Sequence, residues 1–124
     1  MNLKLHSLEE AFVVIKEFCE QYRIPESLCY KVNLISEELI VNLFQYSLAT
    51  EYVLDLSLKG EKLLIQISYQ GPEFNPTRPP EVKSSSVEEM QYGGLGLVLV
   101  NTMASHIEYS YDLNNEFNVI TITL

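Results

Sequence analysis

The chain has 124 residues, enough for one domain with one sizeable core, and at 47% hydrophobic and 20% charged residues it reads as a globular protein. Seventeen acidic against eight basic residues leave a net charge of −9, which repels nucleic acid and suits a basic protein partner. No apolar stretch approaches a membrane span, and "MNLKLHSLEE" lacks the apolar core of a signal peptide, so a cytoplasmic location is expected. Cys19 and Cys29 show no metal-ligand spacing and are too few for a disulfide scaffold; free thiols are expected.

A short strand at Leu3–Leu5 is expected to precede the first helix, in "HSLEEAFVVIKEFCEQY". Ser7 and Glu10 form a capping box there, and Leu8, Ala11, Phe12, Ile15, Phe18, Cys19 and Tyr22 recur at helical spacing. Pro25 breaks the chain and opens a second helix from about Glu26 to Ser47. Leu28, Val32, Ile35, Leu39, Leu43 and Tyr46 form one apolar stripe, Leu34 and Val41 a second, with Ile40 and Phe44 elsewhere, so burial on more than one face is expected.

"EYVLDLSLKGEKLLIQISYQ" alternates as a hairpin turning at "KGEK", and a second hairpin, "HIEYSYDL" to "FNVITITL" around "NNE", closes the chain. Between them lies "GPEFNPTRPPEVKSSSVEEMQYGG", long for a connection in a compact domain, which marks a lid or binding loop. It ends in three glycines within four positions, Gly93, Gly94 and Gly96, feeding the apolar run "LVLVNTMA". No Lys-Ser/Thr follows, so this is not a P-loop, and no strand immediately precedes it, so it is not a dinucleotide fingerprint. A plain turn accounts for it; a hinge between a lid and a phosphate-facing helix end fits its position better.

Glu38 and Asn42 sit four apart on the second helix, between its two stripes. A solvated polar flank is the bland reading of such a pair. Placed in a cleft, the carboxylate suits a general base and the amide oxygen a hard cation such as Mg²⁺. Glu37 points elsewhere and reads as a surface charge, and His6 and His106 stand alone as structural residues.

Taken in order, "SEELIVNLFQYS", "SYQGPEFNP" and "GGLGLVLVNTMASHIEYSY" resemble the N box and two glycine boxes of the anti-sigma-factor serine kinases, small members of the GHKL (Bergerat-fold) ATPases. The likeness runs over nearly the whole chain. It implies a single histidine-kinase-like ATPase domain, residues 1–124, built as an α/β two-layer sandwich with a mixed, mostly antiparallel sheet covered on one face by three helices. It also implies Glu38 as the catalytic carboxylate, and Asn42 as the residue holding Mg²⁺ against ATP. Tyr69 and Gly71 would then lie at the adenine, and Gly93, Gly94 and Gly96 would cradle the phosphates. The partners so implied are a sigma factor and a serine-bearing antagonist protein, and the assembly a homodimer.

Three positions depart from the pattern, one of them Tyr46, where the family often has a basic or histidine residue four after the N-box Asn. Tyr69 stands where the family has the Asp that accepts the adenine amino group, and Glu73 where it has a second glycine. Two readings therefore stand: an ATP-dependent protein serine/threonine kinase in a partner-switching circuit, or a partner-binding module on the same fold that no longer binds ATP.

Overall fold

The computed structural model describes residues 2–78 and 99–124; Gly93, Gly94 and Gly96 lie outside the described residues. Helix α1 (Leu8–Gln21) begins where its cap is expected: Ser7 is extended, and its hydroxyl accepts from the Glu10 N–H at 3.2 Å. The returning bond reaches one residue further back than a capping box requires, with Glu10 Oε1 accepting from the His6 N–H at 3.3 Å. The helix ends on Arg23 in the left-handed region (φ 52°), with Ile24 N–H donating to Cys19 O at 2.9 Å and Arg23 N–H to Glu20 O at 3.4 Å. That pair of bonds satisfies two of the carbonyls a helix end leaves open.

Helix α2 (Glu26–Tyr46) starts on Pro25, whose carbonyl accepts from the Cys29 N–H at 2.9 Å. Val32, Ile35, Leu39, Ile40 and Leu43 are buried on it, as expected of the main stripe and its neighbour. The second stripe differs from the expectation. Val41 is 42% exposed and Leu34 half-buried, because α1 and the core cover two sides of α2 and Val41 lies on neither. The Ser36 hydroxyl is fully buried in this helix without a hydrogen-bond partner among the described residues. Since an unpaired buried hydroxyl opposes folding, Ser36→Ala is expected to raise stability by about 1 kcal/mol, read as the midpoint of denaturant unfolding.

The strands are β1 (Asn2–Leu5), β2 (Tyr52–Lys59), β3 (Lys62–Gln70), β4 (His106–Asp112) and β5 (Phe117–Thr123). They form one sheet in the order β1-β2-β3-β5-β4, antiparallel at every step. Both expected hairpins are therefore in the same sheet, the first turning at Gly60 with φ 65°. One register row, Leu54, Ile67, Ile120 and Tyr109, shows the inward face, and the next, Asp55, Gln66, Thr121 and Glu108, the outward one. Apolar residues on one face and polar residues on the other require cover on one side only. The helices supply it: residues 99–103 are helical, and Val100 joins α1, α2 and the strand residues in a single core.

The fold class read from the sequence is the one observed. Chain order and sheet order differ at one place. β4 follows β3 in the chain but lies beyond β5, at the far edge of the sheet. The crossing between them begins at residues 71–78, where the candidates Asn42, Tyr69 and Gly71 gather.

Candidate functional site

The start of this crossing, residues 71–78, packs between the end of the sheet and the C-terminal half of α2. Asn118, fully buried near the start of β5, ties it down. Its Nδ2 faces the carbonyls of Tyr69, Gly71 and Pro72 at 3.3–3.4 Å, and its Oδ1 accepts from Phe74 N–H at 3.0 Å and from the Tyr109 hydroxyl at 2.5 Å. One side chain thus pairs polar groups from β3, β4 and the loop, and the Tyr111 hydroxyl adds a second bond to Gly71 O at 3.2 Å. From the other side, Asn42 Nδ2 donates to Pro76 O at 3.0 Å, and the Tyr46 and Phe74 rings lie 6.4 Å apart.

Tyr69 is 2% exposed, on the inward face of β3, and its hydroxyl donates to the Phe74 carbonyl. Burial holds its pKa far above the ordinary tyrosine value, so at neutral pH it is a neutral donor. A hydroxyl already engaged with a backbone carbonyl is no substitute for a carboxylate that accepts from an amino group. Gly71 has φ 137°, a conformation that L residues rarely adopt, while open space surrounds the position a Cβ would take. Backbone geometry alone accounts for glycine there. Glu73 is exposed, with the Tyr109 and Tyr111 hydroxyls in its field.

Glu38 and Asn42 lie one turn apart on α2, both half-buried, whereas Glu37 is exposed as expected. Because the Pro76 carbonyl can only accept, the Asn42 amide nitrogen must face it, and the amide oxygen faces away. Burial first, and the neighbouring Glu37 charge second, push the Glu38 carboxyl above the ordinary glutamate value. A raised pKa in the fold means the folded state holds that proton more tightly than the unfolded chain, so ionisation of Glu38 weighs against folding above pH 4.5. Glu38→Gln is therefore expected to gain stability relative to the wild type as pH rises through that window, with the difference levelling off towards neutral. Denaturant midpoints at pH 4 and pH 7 for both proteins check it.

A pocket of about 640 Å³ is lined by Asn75, Thr77, Arg78, Asn101, Ile107 and Tyr109. None of Glu38, Asn42, Tyr69 and Gly71 lines it. Asn42, Tyr69 and Gly71 meet instead through loop 71–78, and Glu38 joins them through α2. Sequence reasoning missed Asn118, Phe74 and Tyr109. One signal was available: Asn118 is the polar member of the inward alternation Asn118, Ile120, Ile122.

These residues can be tested against ATP and Mg²⁺. The Asn42 oxygen and the Arg78-bearing polar pocket suit a cation and an anion respectively. At the position that the resemblance assigns to the adenine the fit fails: a neutral hydroxyl bonded to Phe74 O stands where the family pattern has a carboxylate, and a buried ring occupies the inward face of β3.

No curated protein sequence matches the chain significantly. Among solved structures, a chain of the SiaB–SiaC complex from Pseudomonas aeruginosa superposes with a TM-score of 0.71 at 10% sequence identity, covering 100% of this chain and 88% of that one. At that identity the likeness is one of fold. The family model described as the histidine kinase-like ATPase domain matches residues 1–124, and the chain belongs to that family.

Proposed function

We propose that this protein is a partner-switching regulator of the anti-sigma-factor type, built on the histidine kinase-like ATPase fold, which acts by holding a protein partner. The observation that carries this reading is the Tyr69 hydroxyl bonded to Phe74 O at the position of the family's adenine acceptor. The net charge of −9 supports a partner with a basic contact surface, whose association slows as salt rises. The fold neighbour comes from a complex of two proteins, SiaB and SiaC, which is consistent with binding of this kind. A sigma factor and a serine-bearing antagonist are the first candidates, a homodimer the expected assembly, and the cytoplasm the expected location.

One observation favours a second reading, a protein serine/threonine kinase. Burial and the Glu37 charge raise the Glu38 carboxyl above the ordinary glutamate value, the direction that suits a general base, and it lies one turn from an amide oxygen that faces away from the loop. Incubation of the protein and a candidate partner with ATP labelled on its γ-phosphate separates the two. The regulator reading predicts a salt-sensitive complex and no label on the partner. Label transfer that Glu38→Gln abolishes would establish the kinase instead.

A further inference from the structure

A groove of about 620 Å³ runs between α1 and the start of α2, far in sequence from loop 71–78, and both cysteines of the chain line it. The backbone holds them in register. Cys19 O accepts from Ile24 N–H at 2.9 Å, and Cys29 N–H donates to Pro25 O at 2.9 Å, so the short link between the helices is anchored at both thiol-bearing residues. Both thiols line this one groove, and the Cys29 thiol lies near enough to Cys19 to raise its pKa. Both sulfurs are reduced. Cys19 is buried in the core at 8% exposure, whereas Cys29 is half-buried, open to the groove, and receives Asn33 Nδ2 at 3.9 Å from its sulfur. Lys16, Glu20 and Glu26 are the charged groups lining the groove.

We propose that Cys19 and Cys29 form an oxidisable dithiol, with Cys29 the residue oxidised first and Cys19 the resolving one, which hydrogen peroxide converts into an intramolecular disulfide linking α1 to α2. In the first step the Cys29 thiolate attacks a peroxide oxygen, the O–O bond breaks, and the departing oxygen leaves as water after taking a proton. Cys29 is then a sulfenic acid. In the second, the Cys19 sulfur attacks the Cys29 sulfur, the S–O bond breaks, and the hydroxyl leaves as water with the Cys19 proton. Two thiols and one hydrogen peroxide give one disulfide and two waters.

The order of events follows from access. Burial, with the neighbouring Cys29 thiol adding to it, pushes the Cys19 thiol up to about 12, so Cys19 is a poor first nucleophile. It needs no solvent access as a resolving thiol, because its target is the adjacent sulfur. The groove meanwhile admits a molecule as small as a peroxide.

Hydrogen peroxide, added to the folded full-length chain, is the probe. After blocking of free thiols and tryptic digestion without reductant, the peptides Glu17–Arg23 and Ile24–Lys31 are expected to be recovered joined, from monomeric protein, and separated by dithiothreitol. The intact mass falls by two hydrogen atoms. In Cys29→Ser, Cys19 is expected to resist oxidation under the same conditions. In Cys19→Ala, Cys29 is expected to stop at the sulfenic acid, captured by dimedone. Recovery of both peptides unlinked, linkage found only between two chains, or oxidation of Cys19 at an undiminished rate in Cys29→Ser would each overturn the proposal.

Discussion

Asn118→Ala is expected to lower stability by about 3 kcal/mol and to speed amide exchange at Phe74, whose N–H loses its acceptor. The estimate follows from what the truncation strands. The carbonyls of Tyr69 and Pro72 lose the amide as donor, Gly71 O keeps the Tyr111 hydroxyl, and the Phe74 N–H and the Tyr109 hydroxyl lose the Asn118 oxygen. Each buried polar group left unpaired costs about 1–3 kcal/mol, and water entering along the loop offsets part of the total. Asn118→Asp separates the two halves of this network, because it keeps the acceptor and loses the donors. It also sets a carboxylate against three carbonyl oxygens, so its destabilisation is expected to grow as pH rises above the ordinary aspartate pKa of about 3.9. Chemical denaturation of both variants gives the result. A loss below about 1 kcal/mol for Asn118→Ala would mean the loop is held by other contacts, chiefly Asn42 to Pro76.

The second large effect is on ligand binding. Tyr69→Asp combined with Glu73→Gly is expected to raise affinity for ATP–Mg²⁺ by about tenfold to a hundredfold, since a charge-assisted hydrogen bond to the adenine amino group is worth about 1.5–3 kcal/mol. Removing the Tyr69 hydroxyl also frees the Phe74 carbonyl, and removing its ring opens space on the inward face of β3. Without ligand the double variant is expected to be less stable than the wild type, because a carboxylate replaces a buried ring. Added ATP–Mg²⁺ then raises its thermal midpoint while leaving the wild type unmoved, as mass action requires of a ligand that binds only the folded state. Equal, absent responses from both proteins would show that the adenine slot is lost for reasons beyond Tyr69 and Glu73.

Much of the fold was legible because its signals are local. The alternations in "YVLDLSLK" and "KLLIQISYQ" separate inward leucines and isoleucines from outward polar residues, and Gly60 marks the turn between them. Ser7 and Pro25 announce the two helix starts. The second stripe of α2 was misjudged because periodicity fixes the angle of a side chain on its helix but not what lies opposite, and nothing described covers Val41. Asn42 and Gly71 are named through the family pattern; the structure gives Asn42 a bond to Pro76 O and Gly71 a positive φ, and a ligand role for either stays a proposal. Asn118 is not named by that pattern, since its partners on β3 and the loop lie more than forty positions away along the chain and become neighbours only when β5 inserts beside β3. The same insertion explains Tyr109, brought to Asn118 by the register of β4 on β5. Gly93, Gly94 and Gly96 lie outside the described residues, and their part at a phosphate stays a proposal drawn from resemblance.

The central proposal is that Tyr69, bonded to Phe74 O, closes the adenine end of the site that the resemblance implies. Calorimetric titration of the unmodified protein with ATP in excess Mg²⁺ tests it most directly. The account predicts no saturable binding at concentrations below about 1 mM, whereas a dissociation constant of a few micromolar, about −7 to −8 kcal/mol, would contradict it.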